Sequence, residues 1–185
     1  LLFGKVVASC IAGFTQLVLV FGTSALCYNL NKEYWKDNVM ISGAFDMPAE
    51  LILYMLLFFL LGFLIYAFLY GAVGSTVSKP EDTNTAVMPL TLVFIVAFMV
   101  VVFSITSGNV DNMAMIVCSY IPFTSPMAMF TRIAMSVVPA WEIAISVTLL
   151  VACVVGAGIL SAKVYRVGVL LYGNKPTVKE IFKLI

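Results

Sequence analysis

The chain has 185 residues, of which 63% are hydrophobic and 10% are charged, and its formal net charge is +1. Soluble globular proteins are about 45 to 50% apolar and about 25% charged, so this composition excludes an ordinary soluble domain. It predicts an all-α protein that crosses the membrane several times. The nearly balanced charge gives no basis for nucleic acid as a partner.

Four apolar segments are long enough to cross a hydrocarbon core, which requires about 20 helical residues. We place these spans at residues 6–28, 51–73, 86–104 and 141–162. They form one membrane domain, residues 1–163, followed by a cytoplasmic tail, residues 164–185, that contains a short amphipathic helix. Because the chain enters its first span almost at once and lacks an initiator Met, we expect further sequence upstream.

The first two predicted spans each carry a stripe of polar and small residues. Gln16 and Thr23 lie on one helical face of the first span, and Tyr66 and Tyr70 are four residues apart in the second. Small and polar stripes are typical of close helix packing in membranes, which explains both. The alternative is that these four residues contribute to a path for a solute.

The connection between the second and third spans contains a helix-start pattern. Ser78, Lys79, Pro80 and Glu81 have the form of a capping box, in which Ser78 is the N-cap. This pattern predicts a helix that begins before the third span, with Glu81 and Asp82 at its positive end. A well-capped helix start explains these residues, and docking of a partner subunit is the alternative.

Residues 109–138 contain two apolar runs that are each too short to cross the membrane. Asn109 or Asp111 is expected to cap the first run. Ser125 as N-cap, with Pro126 at the first helical position, is expected to open the second. We therefore predict a re-entrant helical hairpin held by the long spans, with two helices lying in the membrane interface as the alternative.

Arg132, in the second of these short runs, would be costly at the bilayer centre. We expect it to lie near the outer interface or to pair with an acid, and Asp111 and Glu142 are the nearest acids in sequence. The four cysteines lack CxxC spacing and are read as buried thiols, with a disulfide between Cys27 and Cys118 as a minor alternative.

Enzyme motifs are missing from the sequence. Without histidine there can be no HExxH zinc site and no Ser-His-Asp triad, and no GxxxxGK[ST] phosphate loop is present. We predict no catalytic, cofactor-binding or metal-binding residues. An intramembrane enzyme using Cys118 is the weakest alternative, because no histidine could serve as its base. A pore, a non-transporting scaffold, or the membrane part of a machine driven by another polypeptide remains.

Basic residues orient the four spans. Seven of them fall on one side of the membrane, namely Lys5, Lys79, Lys163, Arg166, Lys175, Lys179 and Lys183. Three fall on the other side, namely Lys32, Lys36 and Arg132. The positive-inside rule then places the larger group, and both chain ends, in the cytoplasm of a multi-pass cell-membrane protein whose hairpin opens outward.

Several short motifs follow one another in a characteristic order. They are Gly4-Lys5 ahead of a span, Gly74-Ser75 followed by Ser78-Lys79-Pro80-Glu81-Asp82, Tyr120-Ile121-Pro122-Phe123 with Ser125-Pro126 and Arg132, and Tyr172-Gly173-Asn174-Lys175-Pro176. In this order they resemble the C-terminal part of an ABC-2 type permease, and more narrowly the NatB-like branch associated with sodium efflux. The resemblance covers essentially the whole chain, which would supply the last four of six spans.

The resemblance implies a permease of an ATP-driven exporter rather than an enzyme. Two permease copies would form the path in the lipid bilayer, and separate ABC ATPase subunits would bind ATP and Mg. The expected residues of the ATPase-facing side are Gly4, Lys5, Ser78, Lys79, Glu81 and Asp82. Those expected to form an outer gate are Tyr120, Pro122, Phe123, Ser125, Pro126 and Arg132. A scaffold or assembly protein without a transport path is the alternative function.

Overall fold

The computed structural model describes residues 2–31, 48–77 and 79–170. Throughout these residues the regular structure is helical. The six helices of the described chain are α1 (Leu2–Leu30), α2 (Ala49–Thr76), α3 (Pro80–Thr106), α4 (Met113–Tyr120), α5 (Ser125–Met135) and α6 (Ala140–Leu170). The predicted amphipathic helix of the tail and most of the connection between the first two predicted spans lie outside the described residues.

Four of the helices in the described chain, α1, α2, α3 and α6, are long and apolar enough to cross a membrane. Each contains one predicted span and extends several residues beyond it, because an apolar segment that crosses the bilayer usually continues as helix into the interface. The prediction of an all-helical fold with four spans is confirmed. Helix α6 continues to Leu170, past the predicted end of the membrane domain.

The start of α3 differs from the predicted capping box. Its N-cap is Lys79, which makes no side-chain capping hydrogen bond, and Pro80 occupies the first turn. The predicted N-cap, Ser78, was therefore wrong by one residue and itself lies outside the described residues. Proline explains the shift, because it has no backbone N–H and is best accommodated at the first helical position. Helix α3 does begin before the third span, as expected.

Both caps of the hairpin also differ from the prediction. Asn112, rather than Asn109 or Asp111, caps α4, and its side chain accepts a hydrogen bond from the Met115 backbone N–H at 2.9 Å. Thr124, rather than Ser125, is the N-cap of α5. Ser125 is the first helical residue, so Pro126 occupies the second helical position rather than the first. The Ser125 hydroxyl contacts Ser146 of α6 instead of capping its own helix, and sequence spacing does not show this contact.

Helix α2 lies at the centre of the fold. It packs most extensively against α6 and also contacts α1, α3 and α5. The largest buried cluster contains Phe58, Ile65 and Phe68 of α2 together with Met129 of α5 and Leu150 of α6. Helix α1 is peripheral, since Leu2 and Val6 at its start are its buried residues while most of its apolar side chains are exposed.

The four cysteines Cys10, Cys27, Cys118 and Cys153 are all free. The alternative of a disulfide between Cys27 and Cys118 is therefore wrong for this structure. The expectation of buried thiols is not met either, since Cys10, Cys118 and Cys153 are half-buried and Cys27 is exposed. Cys27 lies near the C-terminal end of α1, where no other described helix covers it.

Candidate functional site

Helices α4 and α5 form a compact hairpin around a tight turn. The Thr124 hydroxyl donates to the Cys118 carbonyl oxygen at 2.7 Å, and the Ser125 backbone N–H donates to the Ile121 carbonyl oxygen at 2.7 Å. These bonds satisfy backbone groups that a broken helix would otherwise leave unpaired, which is required wherever a turn lies in an apolar environment. The six predicted gate residues all lie on this hairpin or at its turn.

Three buried serines connect the hairpin to α6. The Ser146 hydroxyl donates to the Ser119 carbonyl oxygen at 2.8 Å and lies 2.6 Å from the Ser125 hydroxyl. A hydroxyl has one proton, so Ser125 must be the donor in the serine pair. All three side chains are almost fully buried. One side chain of α6 therefore joins the end of α4 to the start of α5.

The hairpin turn also contacts α2. The Tyr66 hydroxyl donates to the Phe123 carbonyl oxygen at 2.7 Å. One turn away, Gly62 faces the ring of Pro126, and its lack of a side chain permits their close approach. The hairpin is thus held by polar contacts on α6, by a hydrogen bond and apolar packing on α2, and by apolar packing on α3 around Val101.

Arg132 lies at the centre of a charged cluster between the hairpin and α6. The Arg132 Nε–H donates a hydrogen bond to Asp111 Oδ1 at 2.9 Å. The Arg132 Nη1 lies 3.0 Å from Glu142 Oε2 and forms an ion pair with it, but the geometry of this contact does not meet that of a hydrogen bond. The expectation that Arg132 pairs with an acid is confirmed, and it pairs with both candidates. The side chains of Arg132, Glu142 and Asp111 are 5%, 16% and 47% exposed, respectively.

The surroundings of the cluster keep its central group charged. Burial by itself would lower the pKa of Arg132, but the hydrogen bond to Asp111 and the two carboxylate charges outweigh it and raise that pKa. Burial raises the pKa of Tyr120, and the neighbouring Glu142 raises it further while Arg132 opposes the change. Arg132 therefore remains a cation, and Tyr120 remains a neutral hydroxyl beside it.

A cleft with a volume of about 830 Å³ lies between the first turns of α1, helices α2 and α3, and the hairpin. Its wall is nearly all apolar and rich in aromatic side chains, including Phe59 and Phe63 of α2, Phe94 of α3 and Phe130 of α5. Concave, mostly apolar pockets of about 300 to 1,000 Å³ are typical of small-molecule sites. The cleft is therefore the candidate binding site of the described chain.

The structure separates the four predicted path residues into two pairs. Tyr66 and Tyr70 line the cleft, and their rings stack with centroids 6.2 Å apart. Gln16 and Thr23 lie on the exposed part of α1, away from the cleft lining, and the Thr23 hydroxyl donates to the Leu19 carbonyl oxygen of its own helix. The stripe on α1 could not reveal this, because helical periodicity does not show which face meets a neighbour.

The residues predicted to face an ATPase lie at one end of the bundle. Phe3 contacts Phe68 near the end of α2, and the Lys5 ammonium lies 5.8 Å above the Tyr165 ring near the end of α6. The start of α3 follows directly on the end of α2. The end is therefore built by the first turns of α1 and α3, and it carries Gly4, Lys5, Lys79, Glu81 and Asp82.

Sequence reasoning missed two contributions to this site. Ser146 appeared as an ordinary residue of an apolar span, although a serine buried in such a helix is itself a signal that a polar partner is near. Gly62 lies on the same small-residue stripe as Tyr66 and Tyr70, which is explained by helix packing in general, and its contact with Pro126 depends on how the hairpin docks. Neither partner lies close by in sequence.

Comparison with known proteins gives a family for this architecture. A family model described as "ABC-2 family transporter protein" matches residues 1–163. The chain is 33% identical over 184 residues to the uncharacterized protein YhaP of Bacillus subtilis, covering 97% of this chain and 43% of that protein. It is 30% identical over 147 residues to the uncharacterized protein MJ1024 of Methanocaldococcus jannaschii, covering 80% of this chain and 36% of that protein. The chain thus spans less than half the length of either relative, and no solved structure matches it.

Proposed function

Because this chain belongs to the ABC-2 family of transporter proteins, we propose that it is part of the membrane-spanning permease of an ATP-driven exporter. ATP, with Mg, would be bound and hydrolysed by a separate ABC ATPase subunit. The observation that carries the proposal is the family match, which includes all four spans and the hairpin. Two permease copies would form the path through the cell membrane, with both ends of this chain in the cytoplasm.

The hairpin has the features that an outer gate needs. It is short and internally hydrogen-bonded, and single hydrogen bonds or hydroxyl contacts join it to α2, α3 and α6. Apolar side chains make up the rest of its packing against α2 and α3. An element of this kind can move as a unit when the spans rock, as lids do in other proteins. We therefore assign the gate role to Tyr120, Pro122, Phe123, Ser125, Pro126 and Arg132.

The opposite end of the bundle is suited to a cytoplasmic partner. Glu81 is exposed in the first turn of α3, beside Lys79, and an exposed charge in a first turn is available to an oppositely charged surface. Gly4 and Lys5 in the first turn of α1, and Asp82 in α3, complete the proposed contact within the described residues. Ser78 belongs to the same proposed surface but lies outside them.

The experiment that tests the function is co-purification of an ATPase with the full-length permease, followed by ATP hydrolysis in liposomes. The informative variant is Glu81→Lys, which should reduce the recovered ATPase by about threefold or more through charge repulsion. Its matched control is Glu50→Lys, because Glu50 is also an exposed first-turn acid but lies at the other end of α2. Equal loss in both variants would contradict the assigned contact surface.

The transported substrate requires its own arm of the experiment. The motifs resemble those of sodium-efflux permeases. The first substrate class to test is therefore a small solute or ion, with sodium as the named candidate. Export would be measured with and without a sodium gradient. Sodium-dependent flux coupled to ATP hydrolysis would support sodium as the substrate. A permease that never recruits or stimulates an ATPase would favour the alternative of a non-transporting scaffold.

A further inference from the structure

The cleft is elongated along helix α2. Its lining residues on α2 extend from Met55 to Gly71. Sixteen helical steps at about 1.5 Å per residue correspond to a length of about 24 Å. This is most of the hydrocarbon thickness of about 30 Å. A cleft of this length and a volume of about 830 Å³ suits one extended chain better than a compact solute.

Apart from Ser9 and Lys5, the polar side chains in the wall of the cleft already have hydrogen-bond partners. The Tyr66 hydroxyl donates to Phe123, and the Thr131 hydroxyl donates to the Met127 carbonyl oxygen at 2.8 Å. The Tyr70 hydroxyl lies 3.2 Å from that of Thr91, which is also placed to donate its own proton within α3, so Tyr70 is the donor of that pair. These hydroxyl protons are therefore already used by the protein.

This chemistry does not suit a metal cation in the cleft. Hard cations are held by several carboxylate, carbonyl or water oxygens. Among the described residues that line the cleft, none is an aspartate or a glutamate. The aromatic and aliphatic wall instead favours an apolar chain, whose transfer out of water is the driving force for binding.

One end of the cleft is positively charged. Lys5 is the charged member of the described lining residues. It lies in the first turns of α1, where Leu2 also packs closely against Gly71 at the end of α2. The Lys5 ammonium lies 5.8 Å from the centre of the Tyr165 ring, which is not part of the cleft lining. Because the Lys5 side chain is exposed, its ammonium can exchange this contact for a ligand group at the mouth of the cleft while its methylene stem packs on apolar neighbours.

We propose that this cleft binds a single-chain amphiphile with an anionic headgroup, and that such molecules, rather than sodium, are the substrate class of the permease. The chain would lie along α2 against Phe59 and Phe63, and the headgroup would lie at Lys5. The binding site rests on the cleft alone, whereas its role as a substrate site rests on the proposed permease function.

The binding test uses the full-length protein in nanodiscs of phosphatidylcholine and a photoreactive diazirine analogue of palmitic acid, with labelled peptides mapped by mass spectrometry. We expect labels on the cleft faces of α2 and α5. Lys5→Glu should reduce labelling by about fivefold or more, since an attraction is replaced by repulsion. The control is Arg166→Glu, because Arg166 is an exposed basic residue near the end of α6 that does not line the cleft. Labelling of the cleft in this variant should stay within about twofold of the wild-type level.

Two further arms separate chain recognition from charge recognition. The matching diazirine analogue of hexadecanol, which has no charge, should label the wild type and Lys5→Glu equally. Ala67→Phe, which fills the cleft, should reduce labelling by both probes, whereas Leu57→Phe, outside the lining on the same helix, should not. Labelling that is confined to exposed outer faces, or that is unchanged in Lys5→Glu and Ala67→Phe, would overturn the site. The site would also be overturned if other segments of the full-length protein filled the cleft, so that neither probe labelled it.

The substrate role is tested by ATP hydrolysis of the reconstituted complex, which palmitate should stimulate by about twofold or more in the wild type but not in Ala67→Phe. Cleft labelling without such stimulation would overturn the substrate role. A complex that recruits no ATPase, with cleft labelling intact, would instead refute the permease function while leaving the binding site in place. The two failures are therefore distinguishable.

Discussion

The ring of Pro126 lies directly against the backbone of Gly62, so that a Cβ built on Gly62 would stand 2.7 Å from the Pro126 Cβ and 2.8 Å from its Cγ. Both proline atoms belong to a rigid ring at the start of α5, which cannot move aside by changing rotamer. The absence of a side chain at Gly62 is therefore what allows the hairpin to dock on α2.

Gly62→Ala should destabilise the protein. Overpacking costs about 1 to 3 kcal/mol, and this outweighs the gain of up to about 1 kcal/mol that alanine brings to a helix interior. The measurement is thermal unfolding in detergent, followed by tryptophan fluorescence. Gly74→Ala is the matched control on the same helix, because nothing lies within 4 Å of its Cβ position. It should be neutral or stabilising, so an equal loss in both variants would contradict the docking contact.

Ser146→Ala should loosen the hairpin from α6. The substitution removes the donor to the Ser119 carbonyl oxygen and the acceptor for the Ser125 hydroxyl, leaving two buried polar groups unpaired. The expected cost is about 1 to 3 kcal/mol in the free energy of unfolding. Thr148→Ala, on the exposed face of α6, should change it by less than about 0.5 kcal/mol. Chemical denaturation of both variants makes the comparison, and equal costs would count against the serine connection.

The two acids that pair with Arg132 should differ in importance. Glu142→Gln should cost several kcal/mol, because its partner charge is buried and the glutamate side chain is 16% exposed. Asp111→Asn should cost less than about 1 kcal/mol, since the aspartate side chain is 47% exposed and solvent screens its charge. Burial should outweigh the better hydrogen-bond geometry of Asp111. A larger loss of thermal stability in Asp111→Asn would show that hydrogen-bond geometry decides instead.

Tyr66→Phe should increase local opening of the hairpin turn. It removes the hydrogen bond to the Phe123 carbonyl oxygen, worth about 0.5 to 1.5 kcal/mol, while keeping the aromatic ring against Phe94. Amide hydrogen exchange around the turn should then accelerate by roughly two- to tenfold. Tyr54→Phe is the control, because the described chain gives the Tyr54 hydroxyl no hydrogen-bond partner. The prediction is contradicted if exchange at the turn is the same in both variants.

Local patterns identified the helices but not their exact ends. Runs of apolar residues determined the four spans, since the bilayer requires about 20 of them in succession. The two apolar runs in residues 109–138 are each too short to cross the membrane, which predicted a pair of short helices. The charge of Arg132 predicted an acidic partner. Cap positions were less predictable. Thr124 and Ser125 are both acceptable N-cap residues, so local sequence does not choose between them. At the start of α3, the preference of Pro80 for the first helical position moves the N-cap to Lys79.

By itself, then, the sequence determined which segments are helices, that they need a membrane, and that Arg132 needs an acid, because each follows from properties of contiguous residues. Only the tertiary structure decided that Tyr66 and Tyr70 line a cleft while Gln16 and Thr23 do not, and that Ser146 and Gly62 hold the hairpin. The physical reason is that an almost uniformly apolar helix carries little amphipathic signal. Which of its faces meets a neighbour is set by the shape of partners that lie tens of residues away.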